Sequence, residues 1–157
     1  MSAHRDMGFA HLRPGAPPER QIGVAAVAVA VIALFFGYVV NNDENGDVVG
    51  WIIASAIAAA AAAFVFLWLV PRAKSDPATT NRPATYGLVT SVLAVVAISV
   101  FWLGLPYVLG AAGAVLGRIG QARSTEAGHR RRATAAVVVG ILAVVAGIAV
   151  AALDATM

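Results

Sequence analysis

The chain has no cysteine. Disulfide cross-links, thiolate metal sites and cysteine nucleophiles are excluded before any pattern is considered. Charge is nearly as scarce: Asp, Glu, Lys and Arg make up 12% of the 157 residues, against roughly 25% in soluble globular domains. What charge there is avoids four long stretches. Residues 22–40, 48–70, 86–117 and 133–153 contain no Asp, Glu, Lys, Arg or His. Proton relays, ion pathways and coupled transport generally need such groups within the membrane, so this gap argues against that chemistry and against catalysis inside the bilayer. The three histidines, His4, His11 and His129, all lie in polar segments, where haem or zinc ligation has no support from a third ligand. No cofactor and no metal are expected, and the chain is read as a non-enzyme.

What remains is hydrophobic, at 60% of residues. It is arranged in blocks long enough to cross a hydrocarbon layer, which takes about 20 residues as helix. The expected fold class is an all-α integral membrane protein, a bundle of about five transmembrane helices with a cytoplasmic N-terminus. The first run, Ile22–Val40, is longer than the roughly 7–15 apolar residues of a signal-peptide core. It is followed by Asn41-Asn42-Asp43-Glu44 rather than a small-residue cleavage site, so it reads as a retained span.

The cations set the threading, because Lys and Arg are retained on the cytoplasmic side. Arg5, Arg13 and Arg20 precede the first run; Arg72, Lys74 and Arg82 lie between the second and third; Arg118, Arg123, Arg130, Arg131 and Arg132 precede the last. The connection from Asn41 to Asp47 carries Asp43, Glu44 and Asp47 and no cation. The organisation that follows is a disordered cytoplasmic tail over 1–21, a transmembrane hairpin over 22–70 turning at Asn45-Gly46, and a cytoplasmic linker over 71–85. Pro71 is expected to end the second helix. Residues 86–157 then form a glycine-rich transmembrane hairpin, an Arg-rich cytoplasmic loop and a final transmembrane helix.

The uncharged stretch Tyr86–Gly117 would measure about 48 Å as a single helix, well beyond the roughly 30 Å core. A break at Gly104-Leu105-Pro106 has a local cause, since proline lacks the backbone donor and disfavours helix in the residue before it. It yields spans at Tyr86–Leu103, Pro106–Ala122 and Ala133–Leu153 and leaves every cation inside. Four spans plus a re-entrant hairpin over 86–117 is the alternative that charge leaves open. Tyr38, Trp51, Trp102 and Tyr107 are expected at the outer headgroup level, and Trp68 and Tyr86 at the inner one.

Small residues recur at helical spacing. Gly110, Gly113, Gly117 and Gly120 follow one another at three and four, as do Ala136, Gly140, Ala143, Gly147 and Ala151. Such faces let helix backbones approach closely in lipid, so Gly110, Gly113, Gly117, Gly140, Ala143 and Gly147 are the expected residues of a helix-packing or partner face. Arg130, Arg131 and Arg132 are expected to meet lipid headgroups and to orient the last helix. The hydroxyls of Ser55, Thr90, Ser91 and Ser99 are each expected to bond a carbonyl one turn back in their own helix. Asn41, Asp43, Asn45 and Gly46 imitate the start of a calcium loop, but its last position is Ile52 instead of glutamate, which leaves a solvated acidic turn.

Tyr86-Gly-Leu-Val-Thr-Ser, Gly110-Ala-Ala-Gly-Ala-Val-Leu-Gly-Arg118 and Ala133-Thr-Ala-Ala-Val-Val-Val-Gly140-Ile-Leu give residues 85–153 a glycine-studded hairpin, an Arg-rich loop and a glycine-containing last helix. This half of the chain resembles a group of small bacterial multi-pass membrane domains common in actinobacteria. The resemblance implies the bacterial cytoplasmic membrane and brings no catalytic residues with it. The functional expectation is a non-catalytic accessory or structural subunit of a larger respiratory, envelope or transport assembly. Its partners would be membrane lipids and other membrane subunits or copies of itself, with no nucleic acid. A small homo-oligomeric transporter or channel, and an envelope protein binding anionic lipid, are the alternatives.

Overall fold

The structure, a computed structural model, describes residues 18–40, 47–75, 81–124 and 127–154. The first helix, α1, spans Pro18–Phe35 and continues as a π-helical turn over Phe36–Val40. α2 (Val48–Ala63), a π-helical segment (Phe64–Leu69) and α3 (Val70–Ser75) run on as one rod. α4 (Arg82–Ala97) tightens into a 3-10 segment over Ile98–Leu103. α5 (Leu105–Arg123) and α6 (Ala127–Asp154) complete the chain. Among the described residues there is no strand.

Four of these helical stretches are long and apolar enough to cross a membrane: Glu19–Val40, Val48–Ser75, Arg82–Leu103 and Gly128–Asp154. Many of their large side chains face outward, as Val92, Leu93 and Val96 do on α4 and Ile141, Leu142 and Val145 on α6. α5 is organised the other way. Tyr107, Val108, Ala112 and Leu116 are buried, as are Gly110, Gly113, Gly117 and Gly120. It runs down the middle of the bundle against α4, α6 and α1. A helix surrounded by protein has little need of a hydrocarbon-seeking surface, which accounts for its richer glycine content and for Arg118 and Arg123 near its end.

The separation of α4 from α5 falls at Gly104, inside the stretch where the sequence places the break. Its φ of +68° is a left-handed conformation natural to glycine, and Pro106 starts the new helix where its missing donor costs nothing. A Cβ at Gly104 would also crowd Leu34, Ala30 and Ala58, at 3.1 to 3.3 Å. The turn is therefore tucked between α1 and α2.

Three expectations need correction. Pro71 does not end the second helix, which runs on to Ser75. A proline ring normally collides with the carbonyl four residues back, and the wider π-helical turn over Phe64–Leu69, closed by the Val70 N–H on the Val65 carbonyl, relieves that collision. Secondly, the tail is already helical from Pro18, and Glu19 in the first turn of α1 meets Lys74 at the end of α3 at 2.7 Å. Thirdly, the hydroxyls behave differently from one another. Thr90 donates to its own helix, at the Tyr86 and Gly87 carbonyls. Ser91 instead crosses to the Ala136 carbonyl of α6 at 2.7 Å. The Ser55 Oγ is buried with no partner among the described residues. The turn at Asn45-Gly46, His4, His11 and the tail up to residue 17 lie outside the described residues.

Candidate functional site

The helices run up and down, so the molecule has two chemically opposite ends. At one, the start of α1 meets the end of α3 through Glu19 and Lys74, and the end of α5 meets α3 through Arg123. The Arg123 guanidinium donates to the Ala73 carbonyl at 3.0 Å and to the Lys74 carbonyl, closing orphan acceptors and complementing the negative end of the α3 dipole. Arg72 lies over the Trp68 ring at 5.1 Å. Asn81 fits a left-handed turn before α4 and donates to the Gly120 carbonyl and to Ser124 Oγ, tying α4 to α5. Arg130, Arg131 and Arg132 lie exposed on the first turns of α6, where the Arg130 carbonyl accepts from the Thr134 hydroxyl.

Between the ends, the glycines lie where α4, α5 and α6 meet. A Cβ on Gly113 would overlap Ser91 Oγ, one on Gly117 would come within 2.8 Å of the Ala133 carbonyl, and one on Gly110 within 2.6 Å of the Gly140 carbonyl. A Cβ on Gly140 would in turn come within 2.5 Å of the Gly110 carbonyl. Ala143 is 1% exposed, and Gly147 faces Pro106 and Tyr107. All six small residues singled out in the sequence thus face other helices of their own chain. That closeness is what lets Ser91 reach a carbonyl on another helix. Sequence spacing identified the face, but the serine embedded in it carried no separate signal.

The opposite end holds a cavity of mixed chemistry. Gly147, level with Pro106 and Tyr107, is followed by seven residues of α6, so that helix overtops the α4–α5 turn by about 10 Å. The result is a cup of about 690 Å³. Its floor includes Phe101, Trp102 and Tyr107, and its walls include Phe36, Tyr38 and Ile148, with the carboxylates Asp47 and Asp154 contributing to the lining. Tyr107 was expected at a headgroup boundary; it is 2% exposed, because its hydroxyl finds the Gly147 carbonyl at 3.1 Å beneath the rim. Asp47 also caps α2 through the Gly50 N–H at 2.7 Å.

The electrostatics of this cup favour cations. The C-terminal ends of α1, α4 and α6 contribute to its lining, each carrying roughly half a negative charge. They outnumber the positive N-terminal ends of α2 and α5 at the same rim, the first of which Asp47 caps. Two carboxylates add to that, and the ring faces of the aromatics attract cations as well. The cup is also blind. Immediately below the floor, Val108, Ala112 and Leu116 are fully buried. Among the described residues no group of three His, Cys, Asp or Glu side chains is placed to hold a metal ion. No protein-family model, no curated protein and no solved structure matches this chain.

Proposed function

We propose that the chain is a five-pass, non-catalytic subunit of a larger assembly in the bacterial cytoplasmic membrane, and that the acidic cup is where a partner engages it. The blind floor of the cup carries this reading. A pore or carrier needs a polar route that continues through the bundle, whereas here the cup stops at Tyr107 and packed aliphatic residues lie beneath it. A socket that accepts a cation and leads nowhere suits docking of a basic or aromatic segment from another subunit.

Five passes are supported by α5, which runs alongside α4 and α6 for 19 residues, about 28 Å and close to the hydrocarbon thickness. The gathering of cations from Arg20 to Arg132 at one end of the helices supports a cytoplasmic position for that end and the N-terminus, with the cup outside. A reporter active only in the cytoplasm, fused after Met157, is expected to be silent; activity there would overturn the threading.

The functional test is extraction through an affinity tag in mild detergent, native sizing, and identification of co-purifying chains by mass spectrometry. A stoichiometric partner is expected, retained by the parent protein and weakened when Asp47 and Asp154 are both changed to Asn. A particle holding this chain alone, together with solute flux in liposomes, would replace the subunit reading with the transporter one.

A further inference from the structure

A second cavity lies at the basic end, between α1 and the α2–α3 rod. The two are clamped together at two levels. Trp51 donates its indole N–H to the Val31 carbonyl at 3.3 Å and packs edge-on against Phe35, with ring centroids 5.8 Å apart. Near the opposite end, Lys74 holds Glu19. Between the clamps the helices do not close. Gly23, Ala28, Ala59 and Ala63 line a slot of about 620 Å³, with Phe66 packed against Gly23. Apart from Arg20 at its end, the lining is apolar throughout.

Size and position decide what fits. Along α1 the slot runs from Arg20 to Ile32, about 18 Å at 1.5 Å per residue. That is near the 15 Å depth of one leaflet, half of the roughly 30 Å core. An apolar groove of that length, open along one side through the exposed Val24, Ile32 and Leu67, suits an extended acyl chain. Left empty, it would forfeit the dispersion contacts of every residue lining it.

Arg20 selects the headgroup. It lies at the slot's end and is exposed, and it has no ion pair among the described residues, whereas the adjacent Glu19 and Lys74 neutralise each other. The local charge is therefore positive, and a guanidinium matches a phosphate with two parallel hydrogen bonds. We propose that this slot is a binding site for one anionic phospholipid of the leaflet at the basic end, its acyl chain lying between α1 and α2 and its phosphate on Arg20. The proposal requires membrane insertion but not the subunit reading, and it uses a site far from the acidic cup.

The test is native mass spectrometry of the purified full chain, exchanged into detergent with equimolar phosphatidylglycerol and phosphatidylcholine. One retained phosphatidylglycerol per chain is expected. Arg20→Gln should cut the preference about fivefold, the size of one basic residue against an anionic surface. The double change Ala28→Leu with Ala63→Leu, at two exposed positions that line the slot, should abolish retention while the thermal midpoint stays within a few degrees. Equal retention of both lipids, or a preference that survives Arg20→Gln and is lost instead when Arg130, Arg131 and Arg132 become Gln, would overturn the site. So would a dimer of this chain that disappears when the slot is filled. Should the double variant not fold, Arg20→Gln against the triple Arg variant still decides the matter.

Discussion

Replacing Gly113 with Leu is expected to disrupt the α4–α5–α6 core, with a loss of stability of at least about 3 kcal/mol, the upper range for forcing bulk into a packed interior. Even a single Cβ there would overlap Ser91 Oγ and press on the Gly87 carbonyl and the Ser91 N–H at 3.0 Å. These are mostly backbone atoms, so no rotamer change makes room. The intrusion also displaces the serine whose hydroxyl reaches the Ala136 carbonyl. Thermal unfolding in detergent, followed by circular dichroism, measures the effect. Gly128 supplies the control, since nothing lies within 4 Å of a Cβ built on it. Gly128→Ala is expected to be neutral, or to stabilise by up to about 1 kcal/mol through helix propensity. Equal effects at the two glycines would mean that the seam is not close-packed.

The second large effect is expected at Tyr107. It is the largest of the fully buried side chains, and it forms part of the cup's floor and the lid of the core below. Tyr107→Ala removes the ring and leaves a void beneath an existing cavity, where the loss should be about 3–5 kcal/mol, as for other buried aromatic truncations. Tyr107→Phe keeps the ring and removes only the hydrogen bond to the Gly147 carbonyl. Interhelical hydrogen bonds within membranes average about 0.6 kcal/mol, so the Phe variant should unfold within a few degrees of the parent. The ratio between the two variants matters more than either value. A Phe variant as damaged as the Ala variant would place the hydroxyl, not the ring, at the centre of the floor's stability.

Sequence patterning reached the helices and the Gly104 break because those are set by long-range averages and by residues with hard backbone rules. Asn81, which takes up a left-handed turn, and Ser91, which bonds across helices, were invisible for the opposite reason: their roles depend on what another part of the chain brings beside them. Pro71 misled because a proline acts on the carbonyl four residues back, and whether that carbonyl is in the way depends on the π-helical widening upstream. No periodicity announces such a widening. The cup was missed because its carboxylates, Asp47 and Asp154, stand more than 100 residues apart, each reading as an ordinary helix-flanking acid. The slot was missed because alanines facing an opening and alanines facing a neighbour have the same spacing. On α2, Ala54 and Ala58 are buried against neighbours while Ala59 and Ala63 line the slot, and the buried Ala62 borders it as well.

The central position of α5 has a consequence for how the protein is made. The four stretches long and apolar enough to cross a membrane do not include it, so lipid alone offers it a weaker reason to leave the insertion machinery than it offers the others. Its closest seams are with α4, already synthesised, and with α6, which the ribosome has yet to deliver. For a chain threaded five times, α5 must wait at the lateral gate with α4 as a hairpin, or be drawn in once Gly140 arrives opposite Gly110. On the five-pass reading, the second route makes the seating of α5 depend on the arrival of α6.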